Sequence, residues 1–229
     1  MKYGLIGASG RLGSEVKEVF SEAKHFLVFS VDITGGKSED KPEIIIDCSL
    51  PEALSKTINL INKFNVPLVI ATTGLSEKDL AELKNLSHKI PVVQSYNFSI
   101  GIQILLQLTK IAKEKLLDLP NGHASWDVEI SETHHRFKKD KPSGTAKMIQ
   151  SALGGFEGKQ INTTSLRLGN VPGDHTVSFG GLGEVLSISH RALSRRTFAE
   201  GILLSAEFAL KKKNGFYSFT DVVFEKENK

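Results

Sequence analysis

Several ingredients are scarce in this chain, and each scarcity narrows what it can be. One of its 229 residues is cysteine, Cys48, so no intrachain disulfide can form and a reducing, cytoplasmic setting is expected. The surrounding IIIDCSL reads as a buried strand end. Aromatic residues make up 7% of the chain, and the basic run from Arg136 to Lys141 contains only Phe137. With a net charge of +3 and basic residues mixed among acidic ones, no nucleic-acid surface is expected. Uninterrupted apolar runs are short. The uncharged stretch from Lys89 to Lys110 holds Pro91, Gln94, Ser95, Asn97, Gln103 and Gln107, which argues against a membrane span. The opening MKYGLIGASG reaches glycine before an export-signal core develops. No HExxH spacing occurs, and His134 and His135, adjacent on an expected strand, point to opposite faces, so no metal site is expected.

What is present begins with alternation of strand and helix. KYGLIG, HFLVFSVDI, PEIIIDCS, VPLVIATTG and IPVVQSYN read as buried strands. RLGSEVKEVFSEA, LPEALSKTINLINKF (Pro51 in its first turn) and LSEKDLAELKNLSH (opened by Ser76) read as helices between them. This order indicates an α/β fold with a parallel sheet covered on both faces. After Asn97 the rhythm changes. SIGIQILLQLTKIAKEKLL predicts one long helix whose wide apolar surface suggests burial against more than one partner. WDVEISETH, TTSLRLG, HTVSFGG and EVLSISHRA alternate as half-buried, mostly antiparallel strands. RTFAEGILLSAEFALKKK predicts a closing helix stopped by Gly215.

The glycines of GASGRLG follow a strand and open a helix, the context in which Gly7, Gly10 and Gly13 permit a tight turn and close approach of a pyrophosphate to a helix N-terminus. A plain strand-to-helix turn would use the same residues. Asp32 ends the second strand about 20 residues on, where an acid accepts hydrogen bonds from ribose hydroxyls. No arginine adjoins it, which favours NADH, although Arg11 and Lys37 could accommodate the extra phosphate of NADPH. ATTG and SYNF fall at other strand ends of the same sheet edge, either as nicotinamide contacts or as ordinary turns.

SETHHRFKKDKPSGTAKM concentrates cations and imidazoles before a helix. His134 and Lys138 form a plausible acid/base pair, since histidine titrates near neutrality and a lysine crowded by cations loses basicity. The amides of Ser143, Gly144 and Thr145 fall at a helix start. Together with the cations they make either a site for a small ligand with more than one carboxylate or a solvated basic loop with an ordinary cap.

GASGRLG, DCSLPEA, ATTG, NFSIG, ETHHRFKKDKPSGTA, GDHTVSF and ISHRALSRRTFAEG occur in the order seen in the dihydrodipicolinate reductase family, which the chain resembles over nearly its whole length. The resemblance implies a Rossmann dinucleotide-binding domain over residues 1–98, joined by 196–229. It implies a second α+β substrate and tetramerisation domain over 99–195, built on an open mixed sheet. Expected with it is hydride transfer from NADH or NADPH to a cyclic imine dicarboxylate, in a homotetramer. It assigns His134 as acid/base, Lys138 as proton donor, and His135, Gly144 and Thr145, with the adjoining Ser143, to the substrate carboxylates. Dinucleotide contacts fall on Gly7, Ala8, Ser9, Gly10, Arg11, Leu12, Asp32, Ala71, Thr72, Thr73, Ser95, Tyr96, Asn97 and Phe98. The chain departs from the family pattern in the short span from Asp32 to Glu43, in Ala71 where glycine is frequent, and in Phe137 where histidine often stands. Competing readings are an amino-acid dehydrogenase on the same architecture and a dinucleotide-binding sensor without turnover.

Overall fold

Short β-branched runs bounded by glycine and polar turns become strands, and the amphipathic stretches between them become helices. The chain runs β1 (Lys2–Ile6), α1 (Arg11–Glu22), β2 (Phe26–Asp32), β3 (Gly35–Ser38) and β4 (Ile44–Asp47). A 3-10 turn at Pro51–Ala53 leads into α2 (Leu54–Phe64), then β5 (Leu68–Ile70), α3 (Glu77–Leu86) and β6 (Pro91–Gln94). Next come α4 (Ile100–Leu117), β7 (Asp127–His134), α5 (Gly144–Leu153), β8 (Asn162–Arg167), β9 (Asp174–Gly180) and β10 (Val185–Arg191). The chain closes with α6 (Arg196–Lys211), β11 (Gly215–Ser218) and α7 (Phe219–Phe224). This computed structural model describes residues 1–32, 35–119, 126–154, 156 and 161–225. Contacts divide the chain into two units, Met1–Ser99 with Arg195–Lys229, and Ile100–Ser194.

The first unit is a seven-stranded sheet in the order β11-β6-β5-β4-β1-β2-β3. Successive residues of β4 face opposite sides. Ile44 and Ile46 join Tyr3, Leu5, Phe20, Ile202 and Phe219 in the core beneath α1, α6 and α7, while Ile45 joins Ile61, Leu68 and Leu83 beneath α2 and α3. Ser76 caps α3 reciprocally: its hydroxyl accepts from the Asp79 amide, and the Asp79 carboxylate accepts from the Ser76 amide. Register aligns Ile6 with Val31 and with Asp47, Asp47 with Ile70, and Ile70 with Gln94. The loops after these strands therefore share one carboxyl edge, where open α/β sheets hold ligands.

In the second unit α4 and α5 cover one face of a four-stranded sheet ordered β10-β9-β7-β8. Ile102, Leu106, Ile130, Ile149, Phe156, Val177 and Phe179 form its core. Pairing is antiparallel except between β7 and β8, which run parallel, so the sheet is mixed.

Two expectations change. The first sheet is not wholly parallel, because the short span after Asp32 folds back as β3, antiparallel to β2. Gly215 does not stop a helix. The helix ends at Lys211, and Gly215 opens β11, which pairs with β6 and extends the sheet by one strand. The long helix α4 packs against both α5 and β10, with Ile102, Leu105 and Leu106 buried and Ile100, Ile104, Leu108 and Ile111 exposed. Among the described residues no helix is long and apolar enough to cross a membrane.

Candidate active site

The glycine loop of the first unit is shaped by contacts that leave no room for side chains. Gly7 adopts φ +81°, and a Cβ there would lie 2.8 Å from the Cys48 carbonyl oxygen. A Cβ on Gly13 would fall 2.1 Å from the Gly7 carbonyl oxygen, so α1 packs against the turn at glycine-only distance. Asp32 holds the loop from the next strand, one carboxylate oxygen accepting from both the amide and the hydroxyl of Ser9 at 3.0 Å. Gly7, Ser9, Gly10 and Asp32 line a cleft of about 590 Å³, joined from the other side by Ser49, Leu50 and Lys56. That volume, its glycine floor and the helix start fit a dinucleotide.

The remaining predicted dinucleotide positions divide. Ala8 and Phe98 are buried, and Leu12 and Ala71 pack against the same core. Their side chains are committed, which leaves their backbone for a ligand. Arg11 is exposed in the first turn of α1 and, with burial, depresses the guanidinium of Arg195. Thr73 is exposed; Thr72 is buried. Ser95 accepts from the Asn97 amide and donates to the Asn97 carbonyl, while the Asn97 side chain accepts from the Ser99 amide. Tyr96 is half-buried, and burial raises its phenol.

Asp47, which pattern reading passed over, organises this edge. One of its oxygens accepts from the Ser49 amide at 2.9 Å, the Ser49 hydroxyl at 2.5 Å and the Thr72 hydroxyl at 3.1 Å; the other accepts from Thr57 at 2.6 Å. One buried carboxylate thus ties three segments together.

In the second unit, period-two spacing on β7 puts Glu132 and His134 on the inner face, and β9 contributes His175 beside them. The Glu132 carboxylate is wholly buried. It accepts from the Ser143 amide at 3.1 Å, the Ser165 hydroxyl at 2.7 Å and the Arg167 guanidinium at 3.3 Å. Burial opposes its charge, yet the bonds from Ser143 and Ser165 and the nearby His134 hold its carboxyl below the usual range. Its second oxygen lies 3.6 Å from Nδ1 of His134 and 3.7 Å from Nε2 of His175.

Those rings meet edge to face with centroids 5.0 Å apart. Burial drives His134 down to about 4 against the attraction of Glu132, and drives His175 to about 3. Both are therefore neutral near pH 7. One ligand atom each from Glu132, His134 and His175 lies within 4.8 Å of the others. A cation among them would meet the oxygen that faces the two imidazoles, while the guanidinium already neutralises the other.

Lys138 also differs from expectation. Its ammonium, 2.8 Å from the Asp140 carboxylate, is paired rather than crowded only by cations. Arg167 straps the loop that carries it, donating to the carbonyl oxygens of Lys138 at 3.1 Å and Asp140 at 2.5 Å. His135 is half-buried, its ring 6.3 Å from that of Phe137. Gly144 and Thr145 open α5 as predicted, but Ser143 is spent on the protein. Its hydroxyl caps the Ala146 amide at 3.1 Å and its amide serves Glu132. The sequence reading named His134, His135, Lys138, Ser143, Gly144 and Thr145, and passed over Glu132, Ser165, Arg167 and His175, which the structure gathers around His134 and the Lys138 loop. Glu132 two residues before His134, and His175 in phase with Val177 and Phe179, were the available signals.

Comparison with known proteins gives this geometry its relatives. The family model described as "Dihydrodipicolinate reductase, N-terminus" matches residues 1–98, and "Dihydrodipicolinate reductase, C-terminus" matches residues 101–223. The chain belongs to the dihydrodipicolinate reductase family. A 4-hydroxy-tetrahydrodipicolinate reductase of Thermosipho africanus is 48% identical over 225 residues, covering 98% of this chain and 99% of that one. Its counterpart in Rickettsia rickettsii is 35% identical over 242 residues, covering 97% and 98%. Among solved structures, dipicolinate-bound dihydrodipicolinate reductase from Paenisporosarcina sp. TG-14 superposes with TM-score 0.73 at 21% identity, covering 95% of this chain and 97% of that one. An aspartate dehydrogenase from Thermotoga maritima shares the fold at TM-score 0.51 and 17% identity, covering 93% and 97%.

Proposed function

We propose that this reductase converts 4-hydroxy-tetrahydrodipicolinate to tetrahydrodipicolinate in lysine and diaminopimelate biosynthesis, with NADH or NADPH as hydride donor. The observation that carries the reading is the buried Glu132, His134 and His175 cluster, linked through Arg167 to the Lys138 loop and through Ser143 to the N-terminus of α5. Hydride is what the nicotinamide supplies when bound; the residues of this chain orient, neutralise and move the proton. Gly7, Ser9, Gly10 and Arg11 receive the pyrophosphate, Asp32 the adenosine ribose, and the Thr72 and Ser95–Phe98 loops the nicotinamide half. His135, Gly144 and Thr145 hold the substrate carboxylates, with Ser143 fixing the turn that presents them. Neutral His134 takes up a proton and Lys138 donates one.

Asp32 favours the ribose hydroxyls of NADH over an added phosphate, because two anions there repel. Self-association to a homotetramer is the reading for the outer face of the second sheet. It is laced with hydroxyl pairs, Thr176 with Ser189 at 2.9 Å and Ser178 with Ser187 at 3.1 Å, beside exposed Leu166 and Val185. The lone Cys48 suits a reducing cytoplasm.

The deciding assay follows loss of NADH, and separately NADPH, absorbance with substrate formed in situ from pyruvate and aspartate semialdehyde. Oxidation is expected, with His134→Ala and Lys138→Ala each lowering turnover roughly 10²-fold or more while nucleotide binding barely changes. Full turnover in both variants, or equal loss of nucleotide affinity, would refute the assignment.

A further inference from the structure

We propose that Glu132 is a positioning residue that fixes His134 as its Nδ1–H tautomer, leaving Nε2, kept uncovered by Gly173, as the atom that exchanges the proton. This rests on the catalytic reading of His134 given above. The geometry begins with saturation. One Glu132 oxygen accepts from Ser143, Ser165 and Arg167, while the other shares the Ser143 amide at 3.3 Å and faces Nε2 of His175 at 3.7 Å and Nδ1 of His134 at 3.6 Å. That nitrogen has no hydrogen-bond partner although it is buried. A buried N–H opposite a carboxylate is favoured over a buried lone pair opposite one, so the ring carries its proton on Nδ1. Contacts of this kind are long before substrate binds and tighten in the complex.

On the far side of the ring, a Cβ at position 173 would lie 3.1 Å from Nε2 and 3.4 Å from Cδ2 of His134. Glycine is thus the residue that leaves this nitrogen room. His175 reinforces the orientation, packing edge to face on the ring from β9. The titratable and charged groups around His134 are Glu132 on its own strand, His175 on β9, Arg167 at the end of β8, and Lys138 and Asp140 in the following loop. Glu132 attracts a proton to the ring, as Asp140 does, and the two cations repel it. When Nε2 takes the proton, the imidazolium gains a charged partner already in place and already desolvated, so no reorganisation is required at that moment.

The first test reads the tautomer without reference to turnover. In two-bond ¹H–¹⁵N spectra of the ligand-free protein near pH 7, the ring absent from His134→Gln is expected to show Nδ1–H; an Nε2–H pattern there overturns the proposal. The second test reads kinetics. Glu132→Gln removes an anion that raises the basicity of His134, so the acid limb of kcat/KM should move roughly one pH unit lower and kcat should fall about tenfold or more. Glu132→Asp should keep the limb near its original position. Gly173→Ala should lower kcat with nucleotide affinity unchanged. If Glu132→Gln fails to fold because Arg167 is left unpaired, the tautomer spectrum, which is read on the parent protein, still decides the proposal. An unmoved acid limb with turnover within twofold of the parent would sink this proposal while leaving His134 catalytic. Normal turnover in His134→Gln would instead sink the catalytic reading, and the tautomer spectrum would still decide whether Glu132 orients the ring.

Discussion

Asp47 and Glu132 are the two buried carboxylates among the described residues, and they are satisfied by opposite means. Asp47 accepts from three hydroxyls and an amide, all neutral and none titratable near neutrality. Glu132 shares its shell with a guanidinium and two imidazoles. Neutral donors balance a buried anion once and for all, which makes Asp47 a knot in the scaffold of the nucleotide cleft. Charged and titratable neighbours leave a balance that a single proton can alter, which is what proton transfer requires. The same device, a strand carboxylate taken out of water, is thus balanced by neutral donors in one unit and by charged and titratable neighbours in the other.

The largest effect should come from breaking the charged shell. Arg167→Met leaves Glu132 buried without its guanidinium and frees the carbonyls of Lys138 and Asp140, and the loss of one partner of a buried pair costs about 3–5 kcal/mol. Denaturant unfolding followed through Trp126, which lies in the second unit, should record that loss. Adding Glu132→Gln should restore much of it, because the uncompensated charge then disappears. No restoration would mean that Arg167 matters for strapping the loop rather than for balancing the acid.

A matched pair of hydroxyl deletions sharpens the contrast. Thr57→Val and Ser165→Ala each remove one donor from a buried carboxylate, at 2.6 and 2.7 Å respectively, and each should cost about 1.5–3 kcal/mol. Ser165→Ala should also change the pH dependence of stability. The Glu132 carboxyl is held low in the folded state, so it contributes stability that is present above its unfolded value of about 4.3 and lost as pH falls through the folded value. Removing Ser165 lets the folded value rise, and acid unfolding of the Ser165→Ala protein should begin at higher pH than in the parent. Parallel acid titrations by circular dichroism would expose the difference.

Much of this was legible because strands and helix starts are written in short-range pattern. The five central parallel strands, the glycine turn and the PSGT helix start follow from apolar runs, glycine spacing and a serine cap. The edges were not. β3 is GGKS, without a single apolar residue, and it forms because the chain after Asp32 is too short for a crossover and pairs with the strand it has just left. β11 hides behind Gly215, which sequence reading takes as a terminator. In the second unit the histidines and Lys138 were visible as a cluster along the chain, whereas Glu132, Arg167 and His175 come together only because β8 runs parallel and β9 antiparallel to β7. Long-range register carries no local signature. Crowding by cations was likewise the wrong local inference for Lys138, since Asp140 two residues on folds back onto it.

The smallest effect expected is also the one that separates the two carboxylates most cleanly. Asp47→Asn preserves shape. The retained oxygen can keep the Ser49 and Thr72 donors, and the new amide can donate to the Thr57 hydroxyl, which already has the Ala53 carbonyl at 3.3 Å as an alternative acceptor. Every partner is therefore able to turn round, and what is lost is the charge assistance of those bonds, about 1 kcal/mol in unfolding free energy. The acid limb of turnover should stay where it is, because Cys48, the thiol that burial and the Asp47 charge push up, titrates far above that range. The corresponding exchange at Glu132 cannot be so quiet. Arg167 has no proton to give up and no acceptor role to adopt, so an amide opposite it leaves a buried cation, and His134 loses the anion that favours its protonation. Should Asp47→Asn shift the pH profile as Glu132→Gln does, the division between a structural and a reactive carboxylate fails, and the nucleotide edge must itself take part in the proton chemistry.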